Sequence, residues 1–186
     1  MNEVIKNILT RRSCAKLIAP APTADELKQV LRCALNAPDH GRLRPWRYVI
    51  LQGQALDALG QAFANIKEAE SGGLTEQQRT KFLNMPSRAP LIIVAIADIK
   101  EHSKVPPIEQ ALTVGCAVQN MHLALKSLGY GAMWRTGDLA FNNAVKQYFN
   151  AQDSDQIVGF LYVGTPESAP KEIEEQPLDQ VVEFWS

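Results

Sequence analysis

The fold of this chain is decided by one apolar run, LIIVAIA at Leu91–Ala97. The run contains no polar residue and no alternation between polar and apolar positions, so the strand that it predicts must be covered on both faces. Helices are therefore expected on each side of a central sheet. The run is also far too short to cross a bilayer, so no membrane-spanning segment is expected.

On either side of this strand, the periodicity of apolar residues predicts the surrounding elements. Further strands are expected at Trp46–Leu51, Ala132–Arg135 and Ile157–Val163. Helices are expected at 2–10, 23–35, 56–66, 75–84, Ile108–Leu128 and Asn142–Phe149. About four strands and five or six helices indicate a single mixed domain of helices and strands that spans residues 1–186.

Length, charge and cysteine content limit the possible classes of function. With 186 residues, 46% apolar and 21% charged, the chain can form one globular domain with a substantial core. A net charge of -1 argues against broad binding of nucleic acid or of an anionic membrane. Cys14, Cys33 and Cys116 lack the spacing of a zinc or redox site, and the N-terminus lacks a secretory signal. We therefore expect reduced thiols, no metal site and a cytoplasmic protein.

Three polar segments stand at the ends of apolar elements. They are Arg11-Arg12-Ser13, Pro38–Arg47 and Trp134–Gly137, and together they hold six arginines, one histidine and two tryptophans. One guanidinium group can donate two parallel hydrogen bonds to two oxygens of a phosphate, and flat aromatic side chains can cover a conjugated ring. The segments therefore favour a site for a phosphorylated aromatic cofactor. No glycine-rich dinucleotide or phosphate-loop motif is present, and we interpret Gly129-Tyr130-Gly131 as a helix end followed by a tight turn.

Each of these segments also has a plain structural interpretation. Arg11 and Arg12 could be solvated cations that compensate the C-terminus of a helix. His40 could be a structural hydrogen-bonding residue, and Trp46 and Trp134 could belong to the core. Spacing alone leaves these alternatives open.

In combination, the three segments resemble a known family. Arg11-Arg12-Ser13, Ala37–Arg47 with its Pro-Asp-His and Pro-Trp-Arg, and Gly131–Gly137 with its Trp-Arg-Thr-Gly follow the order seen in the nitroreductase family, in particular its short branch. The resemblance covers essentially the whole chain. It implies a three-layer α+β fold with a central mixed, mainly antiparallel sheet flanked by helices, and a swapped C-terminal tail.

The resemblance also implies an obligate homodimer with FMN at the subunit interface and NAD(P)H as co-substrate. FMN would be held by Arg11, Arg12, Ser13, Lys16, Asn36, His40, Trp134, Arg135 and Thr136. NAD(P)H would bind at Ala124, Leu125, Lys126, Ser127, Leu128 and Gly129. Helix Ile108–Leu128 would contact the partner subunit. The apolar tail that ends in Phe184-Trp185 is expected to dock on its own core or on a partner, and the resemblance favours the partner.

The sequence departs from the family pattern at two positions. Ala15 stands where many members have a basic residue near the flavin pyrimidine ring, and Lys16 is expected to take that role. Asn36 is short and neutral at a position where a cation is expected.

The implied reaction is hydride transfer from NAD(P)H through flavin N5 to a nitroaromatic, a quinone or a similar small acceptor, with ping-pong kinetics. No protein nucleophile or metal is needed, and Lys16, then Arg135, is expected to stabilise the reduced ring. Two alternatives stay open: flavin fragmentation or dehalogenation on the same scaffold, and a non-enzymatic nucleotide-binding module. The acceptor and the choice between NADH and NADPH are not readable from the sequence.

Overall fold

The computed structural model describes residues 1–169 and 176–185. Its strands are β1 (Leu17–Ile18), β2 (Trp46–Gln52), β3 (Leu91–Ala97), β4 (Gly131–Arg135) and β5 (Gln156–Pro166). Its α-helices are α1 (Glu3–Thr10), α2 (Ala24–Ala34), α3 (Gln54–Ser71), α4 (Glu76–Leu83), α5 (Pro107–Ser127), α6 (Asp138–Phe141) and α7 (Asn143–Tyr148). The domain limits of 1–186 and the swapped tail include residues outside the described ones, and both stay predictions.

The sheet is antiparallel at every pairing between described strands. β3 lies between β2 and β5, and the other side of β5 pairs with β4 and with β1. Val94 of β3 stands opposite both Val49 and Phe160, which fixes the register across the centre of the sheet. These pairings match the mainly antiparallel sheet that was expected, and none of them is the parallel pairing that a mixed sheet would contain.

β3 is buried along its whole length, as its apolar sequence predicts. Ile92, Val94 and Ile96 face one core, which α3, α6 and α7 cover. The odd-numbered residues of the strand face a second core, which α2 and α5 cover. The expectation of helices on both faces of the sheet is therefore confirmed.

The long helix α5 begins and ends within one residue of the expected range. Pro107 occupies its first turn, where backbone N–H groups have no partner within the helix, so the lack of an N–H on proline does not destabilise the helix. The helix ends before Gly129, whose φ of 86° lies in the left-handed region that favours glycine. The capping box at Thr23 is also present, since the Glu26 N–H donates to the Thr23 hydroxyl and the Glu26 carboxylate accepts from the Thr23 N–H.

Short elements and helix ends account for the differences from expectation. The sequence does not predict β1 or α6, because two and four residues are too few to show a periodicity. Leu35, expected in the buried stripe of α2, is 51% exposed because it lies past the last helical residue. No described helix is both long enough and apolar enough to cross a membrane.

The exposed apolar side chains include those of α1, of the start of α5 and of the tail. α1 exposes Val4, Ile5, Ile8 and Leu9. α5 exposes Ile108 and Leu112, which are 62% and 61% accessible. In the tail, Phe184 and Trp185 are 94% and 92% accessible, so docking of these aromatics on the chain's own core is excluded.

Candidate functional site

Strand β4 brings two of the three polar segments together. One edge of β4 pairs with β5, and at the other edge the Cys14 N–H donates to the Ala132 carbonyl oxygen at 2.9 Å. Arg11-Arg12-Ser13 therefore lies beside the start of β4, and Trp134-Arg135-Thr136 forms its end.

A pocket of about 160 Å³ opens where the Arg11 segment meets β4 and the end of α5. Arg11, Arg12 and Lys126 line this cationic pocket, and no acidic side chain is among its described lining residues. Partial desolvation, followed by the charges of Arg12, Lys6 and Arg11, lowers the pKa of Lys126. Such a group of cations is suited to a multiply charged anion.

Two of these cations also stabilise the end of α1. An Arg12 guanidinium nitrogen donates to the Leu9 carbonyl at 2.7 Å, and the Lys126 ammonium donates to the Asn7 carbonyl at 3.1 Å. The alternative interpretation of Arg12 as a cation at a helix C-terminus therefore holds in part. The Arg11 side chain makes no hydrogen bond to a carbonyl at the end of α1 and points toward α5.

His122 of α5 holds Arg11 in place. Its Nε2 lies 3.0 Å from the Ala132 carbonyl oxygen, and its Nδ1 lies 3.2 Å from an Arg11 guanidinium nitrogen. Because a carbonyl only accepts and a guanidinium only donates, both contacts require a neutral ring with its proton on Nε2. Burial, with a smaller contribution from the charge of Arg11, lowers the pKa of His122 and favours that neutral form.

The sequence patterns described above do not single out His122. The signal that could have identified it is an ionisable residue on the buried face of a helix, next to Met121 and one turn from Leu125. Its partner Arg11 is 111 positions away in the sequence, so only the fold shows the contact.

Trp134 occupies a slot between α5 and β5. Its indole N–H donates to the Val158 carbonyl at 3.1 Å. A Cβ on Gly159 would lie 2.1 Å from that nitrogen, whereas a Cβ on Gly115 would lie 3.7 Å from the far end of the indole. The side chain lines two further pockets, one of about 360 Å³ toward α5 and one of about 460 Å³ toward α3.

Arg135 points into the pocket toward α3. Its guanidinium carbon lies 5.3 Å from the centre of the Tyr162 ring, within the range of a cation–π contact. Its Nε is buried and has no hydrogen-bond partner among the described residues. Thr136 lines the same pocket.

His40 lies away from the Arg11 segment of the same chain, whereas Asn36 lies in a groove that also includes Ile8 of α1. The His40 Nδ1 lies 2.7 Å from a carboxylate oxygen of Glu109, in the first turn of α5. The helix from Glu109 to His122 is about 20 Å long at 1.5 Å per residue. Asn36 donates to the Arg32 carbonyl at 2.8 Å and lines a separate groove between α1 and α5.

The other residues expected to hold FMN lie at the surface or at the edge of the cationic pocket. Lys16 is 78% exposed and its ammonium lies 3.5 Å from a carboxylate oxygen of Glu167. Ser13 is exposed beside the pocket. Burial raises the pKa of the Cys14 thiol, which agrees with an unreactive reduced cysteine.

The residues expected to bind NAD(P)H divide between different environments. Lys126 and Gly129 line the cationic pocket. The others are Ala124 and Ser127 in the groove against α1, Leu125 in the core and Leu128 at the surface. The Leu125 side chain is fully buried, which leaves only its backbone available to a ligand.

Residues 8–165 carry β4, the cationic pocket and His40, and they match the sequence profile of the Nitroreductase family. The chain belongs to the nitroreductase family. The α+β class and the mainly antiparallel sheet agree with this membership.

Individual relatives are consistent with this nitroreductase-family assignment. YdjA of Escherichia coli K12, provisionally named an NAD(P)H nitroreductase, is 36% identical over 165 residues, which are 89% of each chain. The nitroreductase-like family protein from Bacillus cereus has a TM-score of 0.85 at 24% identity, over 100% of this chain and 97% of that one. A nitroreductase with bound FMN from Bacteroides fragilis has a TM-score of 0.75 at 19% identity, over 100% of both chains. The two structures share the fold of this chain.

Proposed function

We propose that this chain is an FMN-dependent oxidoreductase that uses NAD(P)H to reduce a nitroaromatic, a quinone or a similar small acceptor. One observation carries the proposal: an acid-free cationic pocket lies at the start of β4, and an arginine and aromatic side chains lie at its end. Residues 131–136 span about 17 Å at about 3.3 Å per residue. A ligand with a phosphate and a ring joined by a flexible chain fits this arrangement. The name of YdjA and the FMN in the Bacteroides fragilis structure support the same cofactors.

The residues of the cationic pocket fit the phosphate of FMN. Arg11 would supply a guanidinium that His122 already orients, and Ser13 would supply a hydroxyl. Lys126 and Gly129 would be shared with the phosphates of NAD(P)H, because both line the same pocket. The backbone of Trp134–Gly137 would lie against the ring.

FMN, when bound, supplies the two-electron chemistry that no amino-acid side chain supplies, and we propose that donor and acceptor use it in two alternating half-reactions. The role of the chain is to orient the ring and to stabilise negative charge on it. Arg135 is suited to this role because its guanidinium is held over Tyr162 and its Nε has no described partner. Lys16 is less suited because Glu167 already neutralises it at the surface, so we rank Arg135 before Lys16.

We further propose that two copies of the chain complete each site. Glu109, which contacts His40, and His122, which contacts Arg11, are separated by about 20 Å of helix rise along α5. If two α5 helices pack antiparallel about their midpoints, Ile108 and Leu112 at the start of one helix lie beside the end of the other. His40 and Asn36 of the partner subunit would then approach the Arg11 pocket. The exposed Phe184 and Trp185 support docking of the tail on the partner.

The absorbance spectrum of the purified protein tests the cofactor. We expect a flavin spectrum, release of FMN on heating, and loss of bound flavin in Arg11→Ala and Ser13→Ala. Arg32→Ala, on the exposed face of α2, is the matched control and should keep the flavin. Full retention of FMN by both Arg11→Ala and Ser13→Ala would overturn the phosphate assignment.

A turnover assay separates the reductase from its alternatives. We expect oxidation of NAD(P)H on addition of a nitroaromatic or a quinone, with the flavin recovered intact. Consumption of the flavin itself would indicate a fragmentation reaction. A colourless protein that takes up no FMN would indicate a binding module with another ligand.

A further inference from the structure

A larger pocket lies on the α3 side of β4, apart from the cationic pocket that contains Arg11. It has a volume of about 460 Å³, and its walls are mostly apolar and aromatic, including Phe63 and Phe160. These two rings meet edge to face with their centres 5.7 Å apart, so packing fixes this wall. The proposed binding of the FMN phosphate uses none of these side chains.

The charged side chains among the described lining residues of this pocket are Arg88 and Arg135. Neither arginine forms an ion pair with another described residue. Burial raises the pKa of the Tyr162 hydroxyl, while the charge of Arg135 and then that of Arg88 act in the opposite direction. Both guanidinium groups are therefore close enough to act on the neutral phenol. Arg135 is already proposed to stabilise the flavin ring, so Arg88 and the Tyr162 hydroxyl remain for another ligand, in a pocket whose described lining includes no carboxylate.

These features restrict the chemical class of ligand. Guanidinium groups match the paired oxygens of a carboxylate, and aromatic walls match a flat ring. A neutral aromatic would leave Arg88 without a counterion, and a sugar or a free phosphate would leave the apolar walls without contacts. A planar aromatic carboxylate satisfies both parts of the lining.

We propose that this pocket binds the electron acceptor and selects planar aromatic acceptors that carry a carboxylate, with Arg88 as the residue that recognises the carboxylate. The proposal rests on the proposed function, because Trp134 and Thr136 line the same pocket and belong to the segment proposed to hold the flavin ring. Arg88 is exposed on the turn Pro86–Arg88 before β3. Its replacement therefore leaves the core packing intact.

Steady-state kinetics with two matched acceptors test the proposal. In Arg88→Met, we expect the KM for 4-nitrobenzoate to rise about tenfold, the loss expected for one charge-assisted hydrogen bond. The KM for the neutral 4-nitrobenzyl alcohol should stay unchanged. Arg32→Met, with its side chain exposed on α2, is the matched control and should resemble the wild type with both acceptors.

Binding without turnover gives an independent readout. We expect benzoate to change the flavin spectrum of the wild-type holoprotein, and to do so at about tenfold higher concentration in Arg88→Met. Equal effects on both acceptors, or no effect on either, would overturn the proposal. Loss of FMN from Arg88→Met would also overturn it, by assigning Arg88 to the flavin. If the wild-type protein binds no FMN, the proposed function fails first, and that outcome is recognised before any acceptor is added.

Discussion

At the scale of single residues, the site depends on a hydrogen-bond network that joins three parts of the chain. The Ala132 carbonyl accepts from both the Cys14 N–H and the His122 Nε2–H, while the His122 Nδ1 accepts from Arg11. One buried imidazole therefore connects α5, β4 and the loop that carries the candidate phosphate ligands. The position of the Arg11 guanidinium is set by this contact before any ligand binds.

The first prediction concerns the role of His122 in positioning Arg11. His122→Leu should weaken FMN binding about tenfold, because the contact to a charged group is worth about 1.5 kcal/mol or more. His122→Gln retains a donor and an acceptor and should recover most of the affinity. Fluorescence titration of the apoprotein with FMN measures the affinity of each variant. His102→Gln, at an exposed position, is the control, and equal losses in the Leu and Gln variants would contradict the positioning role.

The second prediction is a pH dependence of stability. Because burial lowers the pKa of His122 in the folded chain, its stabilising contribution is complete above the usual histidine pKa of about 6.5 and is lost as the pH falls through the lowered pKa. The titratable groups that line the pocket around His122 are Arg11, Arg12, Lys126, the Cys14 thiol and the Tyr130 phenol, so no carboxylate among its described lining residues favours the imidazolium.

The melting temperature of the wild type, measured relative to that of His122→Gln, should therefore fall from about pH 7.5 to about pH 5.5. Differential scanning calorimetry at several pH values measures this difference. A difference that stays constant with pH would show that His122 does not titrate as expected.

At the scale of elements, the site depends on the absence of a side chain at Gly159. β5 and α5 approach the Trp134 indole at Gly159 and Gly115, and the indole N–H is then satisfied by the Val158 carbonyl. Trp134 consequently separates the pocket toward α5 from the pocket toward α3. The shape of both pockets follows from the spacing between one helix and one strand.

The third prediction is that Gly159→Ala moves Trp134 out of its slot. The added Cβ would lie 2.1 Å from the indole nitrogen and 2.6 Å from Cδ1 of the same ring, so the indole must move. We expect a stability loss of about 1–3 kcal/mol and a red shift of tryptophan emission. Gly115→Ala is the control, because its Cβ would meet the indole at an ordinary 3.7 Å. Thermal unfolding and fluorescence measure both variants, and identical behaviour would contradict the slot.

At the scale of the whole molecule, one chain does not bring all the candidate ligands to one place. The Arg11 pocket and the His40–Glu109 pair lie near opposite ends of α5. The same helix exposes Ile108 and Leu112, which an isolated chain would be expected to bury. A two-fold assembly around α5 accounts for both observations with a single contact.

The fourth prediction is that Leu112→Glu disrupts this assembly. A buried carboxylate at a subunit contact is unfavourable, so the variant should sediment with the mass of one chain while the wild type sediments as a dimer. Bound FMN should be lost at the same time, because the partner would no longer complete the site. Tyr148→Glu, an exposed aromatic on α7, is the control. A dimeric Leu112→Glu variant with full flavin content would contradict the proposed contact.

Most of the fold is predictable from local patterns in the sequence. The buried strand Leu91–Ala97, the capping box at Thr23 and the extent of α5 each depend on residues that are neighbours along the chain. The polar segments around Arg11 and Trp134 are likewise recognisable as candidate ligands. β1 and α6 are not, because elements of two and four residues are shorter than the periods that identify them.

The sequence by itself therefore determined the layers of this protein and the chemical character of its site. Only the tertiary structure decided which side chains come together: His122 with Arg11, Arg88 and Arg135 around the pocket that contains Tyr162, and His40 with Glu109 instead of with the Arg11 segment. The physical reason is that residue periodicity is set by backbone geometry within one element. Contacts between residues about a hundred positions apart depend on strand order, register and helix packing, which no local pattern specifies.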